Sequence, residues 1–170
     1  MSDRRIDWAD VELAALGRII VYVAELEWYA EHLLQGFIEP DGIAVLMTVG
    51  ENITWKLDKL SAIAKETLTN SEVKACLLDW VEASRTLVSR RNKLIHSFYM
   101  VGQEGSRLSR WKASTRQGKW RGETEPISLV DLREVGDLLA EGLNVADHLV
   151  QQLAGCPEWS NLPGELRSAA

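Results

Sequence analysis

Apolar residues recur every three or four positions along most of this chain, and that spacing is the strongest constraint on its fold. The clearest stretch covers residues 8–37, where the apolar side chains at helical spacing are Leu13, Leu16, Ile20, Val23, Ala30 and Leu34. A stripe of this length predicts one long amphipathic helix, with Asp7 or Asp10 as its N-cap.

Two further segments between residues 43 and 96 show the same spacing of apolar residues. One covers residues 43–68 and is interrupted near Gly50. The next begins with an N-cap at Asn70 or Ser71 and continues to about His96. Both segments therefore predict helices that bury one face.

A stretch of different amino-acid composition separates these helices from a fourth. Residues 98–126 are rich in Gly, Ser and Arg, and pieces such as "FYMV" and "RLSRWKAS" alternate in polarity, which predicts a short β-hairpin insert. Ser128 then caps the last helix, while residues 156–170 read as a loosely ordered C-terminal tail. The sequence thus predicts an all-α bundle of four main helices over residues 1–155, with the hairpin inserted before the last helix.

Bulk properties exclude several classes of protein. The chain is 46% hydrophobic but has no apolar run of the length that a membrane helix needs, and its start lacks the features of a signal peptide. Its two cysteines, Cys76 and Cys156, lie too far apart for a CxxC pair, so neither a disulfide framework nor a structural zinc site is indicated. We expect a reduced, cytoplasmic protein without a metal or other cofactor.

Charge is distributed very unevenly. The stretch from Arg85 to Arg121 holds ten basic residues and one acid, a balance of +9, whereas the rest of the chain holds nine basic residues and 24 acids, a balance of −15. Such a basic segment either meets a polyanion or pairs with the acidic remainder of the same chain or of a partner subunit. The charge pattern alone leaves both alternatives open.

One arginine lies where the third helix should be apolar. Because successive helical residues are about 100° apart, Leu77, Val88 and Ile95 all fall within about 60° of Arg91, in the sequence "RRNKLIHSFY". A cation at the centre of an apolar stripe either extends past the helix end or meets a carboxylate or a phosphate.

Glu27 is the candidate carboxylate. It interrupts the apolar stripe of the first helix in the same way, so we expect it to lie within hydrogen-bonding reach of Arg91. Two interpretations of such a pair remain open: an internal salt bridge that only stabilises the fold, or a carboxylate that aims Arg91 at a ligand.

The segment "RNKLIH", Arg91 to His96, resembles the Arg-x4-His motif of HEPN domains, with the favoured polar residue, Asn92, directly after the arginine. Arg90 fits a looser form of the motif with five intervening residues. The order of long helices, with the motif late in the third and ahead of an insert, also resembles that family over most of residues 8–153.

This resemblance implies a homodimeric helical domain and two alternative functions. Many such domains are metal-independent endoribonucleases, often the toxin of a toxin–antitoxin pair that has an antitoxin protein as its partner. Others are non-catalytic and act as protein- or RNA-binding modules. We expect the dimer interface to include the face of the third helix that carries Asn92 and His96.

Carried onto this chain, the resemblance makes Arg91 and His96 the catalytic pair and Asn92 a supporting residue. Glu27 is a further supporting candidate because of its place in the apolar stripe of the first helix, not because of the resemblance. Imidazole is suited to take the proton of a ribose 2′-OH, and a guanidinium to stabilise the charged phosphorane that follows. The basic insert would hold single-stranded RNA by charge and stacking. Its candidate RNA-binding residues are Arg107, Arg110, Trp111, Lys112, Arg116 and Arg121.

Overall fold

The computed structural model describes residues 9–38, 47–96, 98–101, 108–116 and 119–159, by backbone alone within 98–124 and at residue 158. The described chain is mostly helical. Its four long helices are α1 (Asp10–Phe37), α2 (Ile53–Thr67), α3 (Ser71–Ile95) and α4 (Leu129–Leu153). Helix α1 packs along α4 and α2, and α3 packs against α2 and α4, which gives the predicted helical bundle.

The helix starts follow local capping signals. The Asn52 side chain accepts a hydrogen bond from the Trp55 N–H at the start of α2, and Asn70 accepts two at the start of α3. Ser128 and Asp131 exchange hydrogen bonds at the start of α4, and the bonds from the Ser128 backbone and hydroxyl hold the pKa of Asp131 below its usual value. The predicted caps at Asn70 and Ser128 are therefore confirmed.

Helix α1 begins differently from the prediction. Asp10 is its first helical residue rather than its cap, and Asp7 lies outside the described residues. The Glu12 carboxylate accepts a hydrogen bond from the backbone N–H of Ala9 at 2.9 Å, so an acid inside the first turn satisfies the free donor.

The interruption predicted near Gly50 is confirmed. Gly50 has φ +85°, a left-handed conformation that glycine adopts at little cost, and α2 begins three residues later. The preceding residues 39–46, on which the first part of the predicted second helix falls, lie outside the described residues.

The insert forms a three-stranded antiparallel sheet rather than two strands alone. Its strands are β1 (Phe98–Val101), β2 (Leu108–Arg116) and β3 (Lys119–Ile127), in the order β1-β2-β3. Ile127 at the end of β3 is buried in the bundle core, so the sheet leads directly into α4.

The prediction of a loose tail from residue 156 is wrong for its first four residues. Cys156 is buried, and a short 3₁₀ turn at Pro157–Trp159 places Trp159 at 2% exposure, with its indole N–H donating to the Leu33 carbonyl at 3.1 Å. A Cβ on Gly36 would lie 2.1 Å from the Trp159 Nε1, so the glycine makes room for the indole. Residues 160–170 lie outside the described residues.

Candidate functional site

The motif residues lie at the C-terminal end of α3. His96 is the C-cap, exposed to solvent, and its backbone N–H donates to the Asn92 carbonyl at 3.1 Å. Lys93 lies in the same last turn, where cations interact favourably with the helix dipole. The helix end therefore presents an imidazole, an amide and two cations within six residues.

Arg91 is half-buried and incompletely satisfied. Its Nη1 donates to the Asn92 side-chain oxygen at 2.9 Å, while its Nε is buried and has no hydrogen-bond partner among the described residues. A buried donor left without a partner costs free energy that an incoming anion can recover. The guanidinium is thus not saturated by hydrogen bonds within the described part of the chain.

A cavity of about 650 Å³ lies beside Arg91, between α1, α2, α3 and the turn at Gly50. Its wall contains two cations and two carboxylates together with polar and small apolar groups. The lining residues are Val23, Glu27, Gly50, Glu51, Asn52, Ile53, Thr54, Lys56, Val88, Arg91 and Asn92.

His96 lines a second cavity, of about 630 Å³, between α2 and α3. Arg91 is not among its lining residues, whereas Asn92 lines both cavities. Five positions along a helix correspond to a rotation of about 140°, so Arg91 and His96 leave α3 on different sides. Within one chain the two motif residues flank Asn92 instead of facing a common point.

Glu27 does not pair with Arg91, so that prediction is corrected. The Glu27 carboxylate accepts from the ammonium group of Lys56 at 3.2 Å, although Glu27 and Arg91 line the same cavity. The physical reason is that the Lys56 side chain, on the neighbouring helix α2, lies in the gap between the helices and places its ammonium group within hydrogen-bonding distance of the carboxylate.

Lys56 is the charged residue that the sequence reasoning missed. It is 3% exposed and also donates to Glu31 at 2.7 Å. Burial lowers its pKa, but the hydrogen bonds and charges of Glu31 and Glu27 outweigh burial and raise the pKa above the ordinary value. A signal was present in the sequence, because Lys56 falls between Ile53 and Leu60 on the apolar stripe of α2.

The network extends to the turn before Gly50. Gln35 donates to both Glu31 and the Thr48 hydroxyl, and the Thr48 hydroxyl donates to Glu31. Every group in this network has a partner, which is what a stable buried polar cluster requires.

Two of the basic residues that precede the insert pair with acids of the same chain. Arg85 donates to Asp58 and to Glu82, and these bonds raise its pKa against the opposing effect of burial. Arg90 donates to Glu134 on α4 at 3.0 Å. The explanation of the basic segment by pairing within the chain is therefore right for these two residues.

The candidate RNA-binding residues lie mainly on two strands. Arg110, Trp111, Lys112 and Arg116 belong to β2 and Arg121 to β3, whereas Arg107 lies outside the described residues.

Two features are absent from the part of the chain that the structure describes. No three His, Cys, Asp or Glu residues there come together as a metal site. None of the helices there combines the length and apolar content that a bilayer crossing needs.

No protein-family model, curated protein or solved structure matches this chain. The resemblance to HEPN domains therefore remains a prediction that rests on the residues of the motif and on the order of the helices.

Proposed function

We propose that this protein is a HEPN-like, metal-independent endoribonuclease whose reactive groups are Arg91, Asn92 and His96. The observation that supports it best is the state of Arg91 beside its cavity. The buried Nε of the guanidinium has no partner in the part of the chain that the structure describes, although the carboxylate of Glu27 lines the same cavity. A planar guanidinium with free N–H groups is well suited to bind phosphate through two hydrogen bonds.

The proposed reaction needs only the substrate's own nucleophile. His96 takes the proton of a ribose 2′-OH, whose oxygen then attacks the adjacent phosphorus atom. Arg91 stabilises the negative charge that develops on the phosphorane oxygens, and Asn92 holds Arg91 through its side-chain oxygen. The bond from phosphorus to the 5′-oxygen breaks, which leaves a 2′,3′-cyclic phosphate and a free 5′-OH.

A second copy of the chain supplies the general acid in this proposal. Arg91 and His96 line separate cavities of one chain, and the reacting phosphate is proposed to lie over Asn92, which lines both cavities, so that the two side chains reach it from opposite sides. In a homodimer, the second His96 protonates the leaving 5′-oxygen. The basic positions of β2 are proposed to hold the flanking nucleotides by charge.

The experiment that tests the proposal incubates purified full-length protein with mixed RNA in EDTA and follows the fragments and their end groups. We expect wild type to cut and to leave 2′,3′-cyclic phosphates, and His96→Ala to cut about 10²–10⁴-fold more slowly, the typical effect of losing a general base. A substrate with a 2′-deoxy group at the cut site should resist cleavage. The matched control is His148→Ala, since His148 is also exposed but lies on α4.

Equal rates for wild type and His96→Ala would remove the enzymatic proposal. If wild type in that case also bound no RNA, the chain would be a non-catalytic module for protein partners. RNA binding without cutting would make it an RNA-binding module.

A further inference from the structure

The outer side of α1 carries an exposed apolar stripe that no other part of the described chain covers. Its four large residues are between 44 and 53% exposed, and its two small residues are exposed as well. At about 100° per residue, all six lie within about 100° of one another around the helix. The α1 stripe consists of Leu13, Gly17, Ile20, Val21, Ala24 and Trp28.

Nothing in the described part of the chain explains the glycine at position 17. Glycine is unfavourable inside a helix, and a Cβ at this position would meet nothing within 4 Å. Gly36 on the same helix shows the contrast, because its missing Cβ makes room for Trp159. A glycine that leaves open space on an exposed apolar surface points to a close approach by another molecule.

The α1 stripe is symmetric about the point between Ile20 and Val21. On an antiparallel copy of the same helix, Leu13 lies opposite Trp28, Gly17 opposite Ala24, and Ile20 opposite Val21. A two-fold interface must be self-complementary in this way, since each contact occurs twice with the roles exchanged. The two small residues face each other, which lets the helix axes approach to about 8 Å.

We propose that the α1 stripe is a homodimer interface in which two α1 helices pack antiparallel about a two-fold axis near Ile20 and Val21. The partner is a second copy of this chain rather than an unrelated protein, because the order of large and small residues along the α1 stripe is the same in either direction, as two antiparallel copies require. The interface stands on α1 alone and does not depend on the proposed reaction.

The same pairing has a consequence for the site, and this consequence rests on the proposed function. Val23 and Glu27 line the Arg91 cavity and lie on the flank of α1 next to Ile20. With a rise of 1.5 Å per residue, each cavity lies about 7 Å along the helix from the two-fold axis. By the two-fold symmetry, the two Arg91 cavities then lie on the same side of the α1 pair and about 14 Å apart along its axis.

The first test is the oligomeric state of the full chain, measured by sedimentation and light scattering from 1 to 100 µM. We expect a dimer of two 19.1 kDa chains. Val21→Asp should weaken it at least tenfold, whereas Val130→Asp, at a 72% exposed position on α4, should leave it unchanged. Gly17→Leu provides a second disruptive variant whose added side chain finds open space in the monomer. Circular dichroism checks that each variant is folded.

The second test fixes the direction of the helices by disulfide cross-linking. Ile20→Cys should cross-link to its own copy, because the two positions are adjacent across the axis. Gly17→Cys and Ala24→Cys should each fail alone and cross-link only when mixed, since like positions lie about 10 Å apart along the helices, beyond the reach of a disulfide. Wild type reports any cross-link through Cys76 or Cys156.

A monomer at 100 µM, or a dimer that Val21→Asp and Gly17→Leu leave intact, would overturn the interface. Cross-linking of Gly17→Cys and of Ala24→Cys each to itself would overturn the antiparallel arrangement. None of these readouts involves RNA, so an inactive dimer would refute the proposed reaction and leave the interface standing.

Discussion

Lys56 and Arg91 line the same cavity, and both interrupt an apolar helix face, yet they differ in burial and in the number of their hydrogen-bond partners. Lys56 is almost fully buried and donates to two carboxylates, at 2.7 and 3.2 Å. Arg91 is half-buried, and within the described residues it has one hydrogen bond, to its neighbour Asn92, and a buried Nε without a partner. An interrupted apolar stripe thus identifies an unusual charged residue. Only the hydrogen-bond partners of that residue distinguish a structural role from a ligand-binding one.

The surroundings of the two cations explain why each state is stable. Around Lys56 the chain supplies Glu27, Glu31 and, through Glu31, the hydrogen bonds of Thr48 and Gln35, so its desolvation is offset. Arg91 lies in the last turns of α3, lines the cavity and is only half-buried. One cation stabilises the fold, and the other is the one that we propose binds a ligand.

The largest predicted effect on stability follows removal of Lys56. Lys56→Met should lower the free energy of unfolding by about 3–5 kcal/mol, because Glu27 and Glu31 would then face each other without a cation. Urea denaturation at pH 7 measures the loss. The matched control is Lys65→Met on the exposed side of α2, which should stay within about 0.5 kcal/mol of wild type. Equal small losses in the two variants would show that the network does not stabilise the fold.

A smaller effect should appear at alkaline pH. The pKa of Lys56 is raised in the folded state, so the stability that its pairing supplies is fully present below the ordinary value of 10.5 and is lost as pH rises through the folded value. Tyr29 acts in the same direction, since burial and the hydrogen bond it donates to Asp147 raise its pKa. Denaturation series from pH 9 to 12 should therefore show a steeper loss for wild type than for Lys56→Met. Parallel curves would contradict the contribution of Lys56.

The smallest effect is expected at Arg90, the neighbour of Arg91 that fits the looser form of the motif. Its guanidinium is engaged by Glu134 in an exposed ion pair, which is typically worth about 0–1 kcal/mol. Arg90→Ala should therefore cost at most about 1 kcal/mol of stability and leave RNA cleavage within about threefold of wild type. If cleavage fell as far as in Arg91→Ala, Arg90 would share the catalytic role and the comparison of the two arginines would fail.

Local features of the fold were predictable from the sequence. The third helix begins after Asn70 and ends at His96, and the fourth begins after Ser128, as the capping residues and the apolar spacing predict. The interruption at Gly50 follows from the same kind of signal. These features depend on a few consecutive residues, so their physical causes are visible in a single stretch of sequence.

Pairings between elements were harder to predict. The sequence shows that Glu27 interrupts an apolar stripe, but its partner depends on how α1, α2 and α3 are rotated against each other, and Lys56 rather than Arg91 occupies the gap. Trp159 was missed for a similar reason. Proline and polar residues around it suggest a loose tail, whereas the space above Gly36 that receives the indole exists only in the folded bundle.

The most direct test measures stability and RNA affinity on the same variant, Arg91→Ala, with a non-cleavable RNA that carries 2′-deoxy groups. We expect its free energy of unfolding to remain within about 1 kcal/mol of wild type, because the side chain forms one hydrogen bond, to an exposed neighbour. We expect its affinity for the RNA to fall about 10-fold or more, since a charge-assisted contact to phosphate is worth about 1.5–3 kcal/mol. A variant as unstable as Lys56→Met, with unchanged RNA affinity, would contradict the assignment of Arg91 to a ligand.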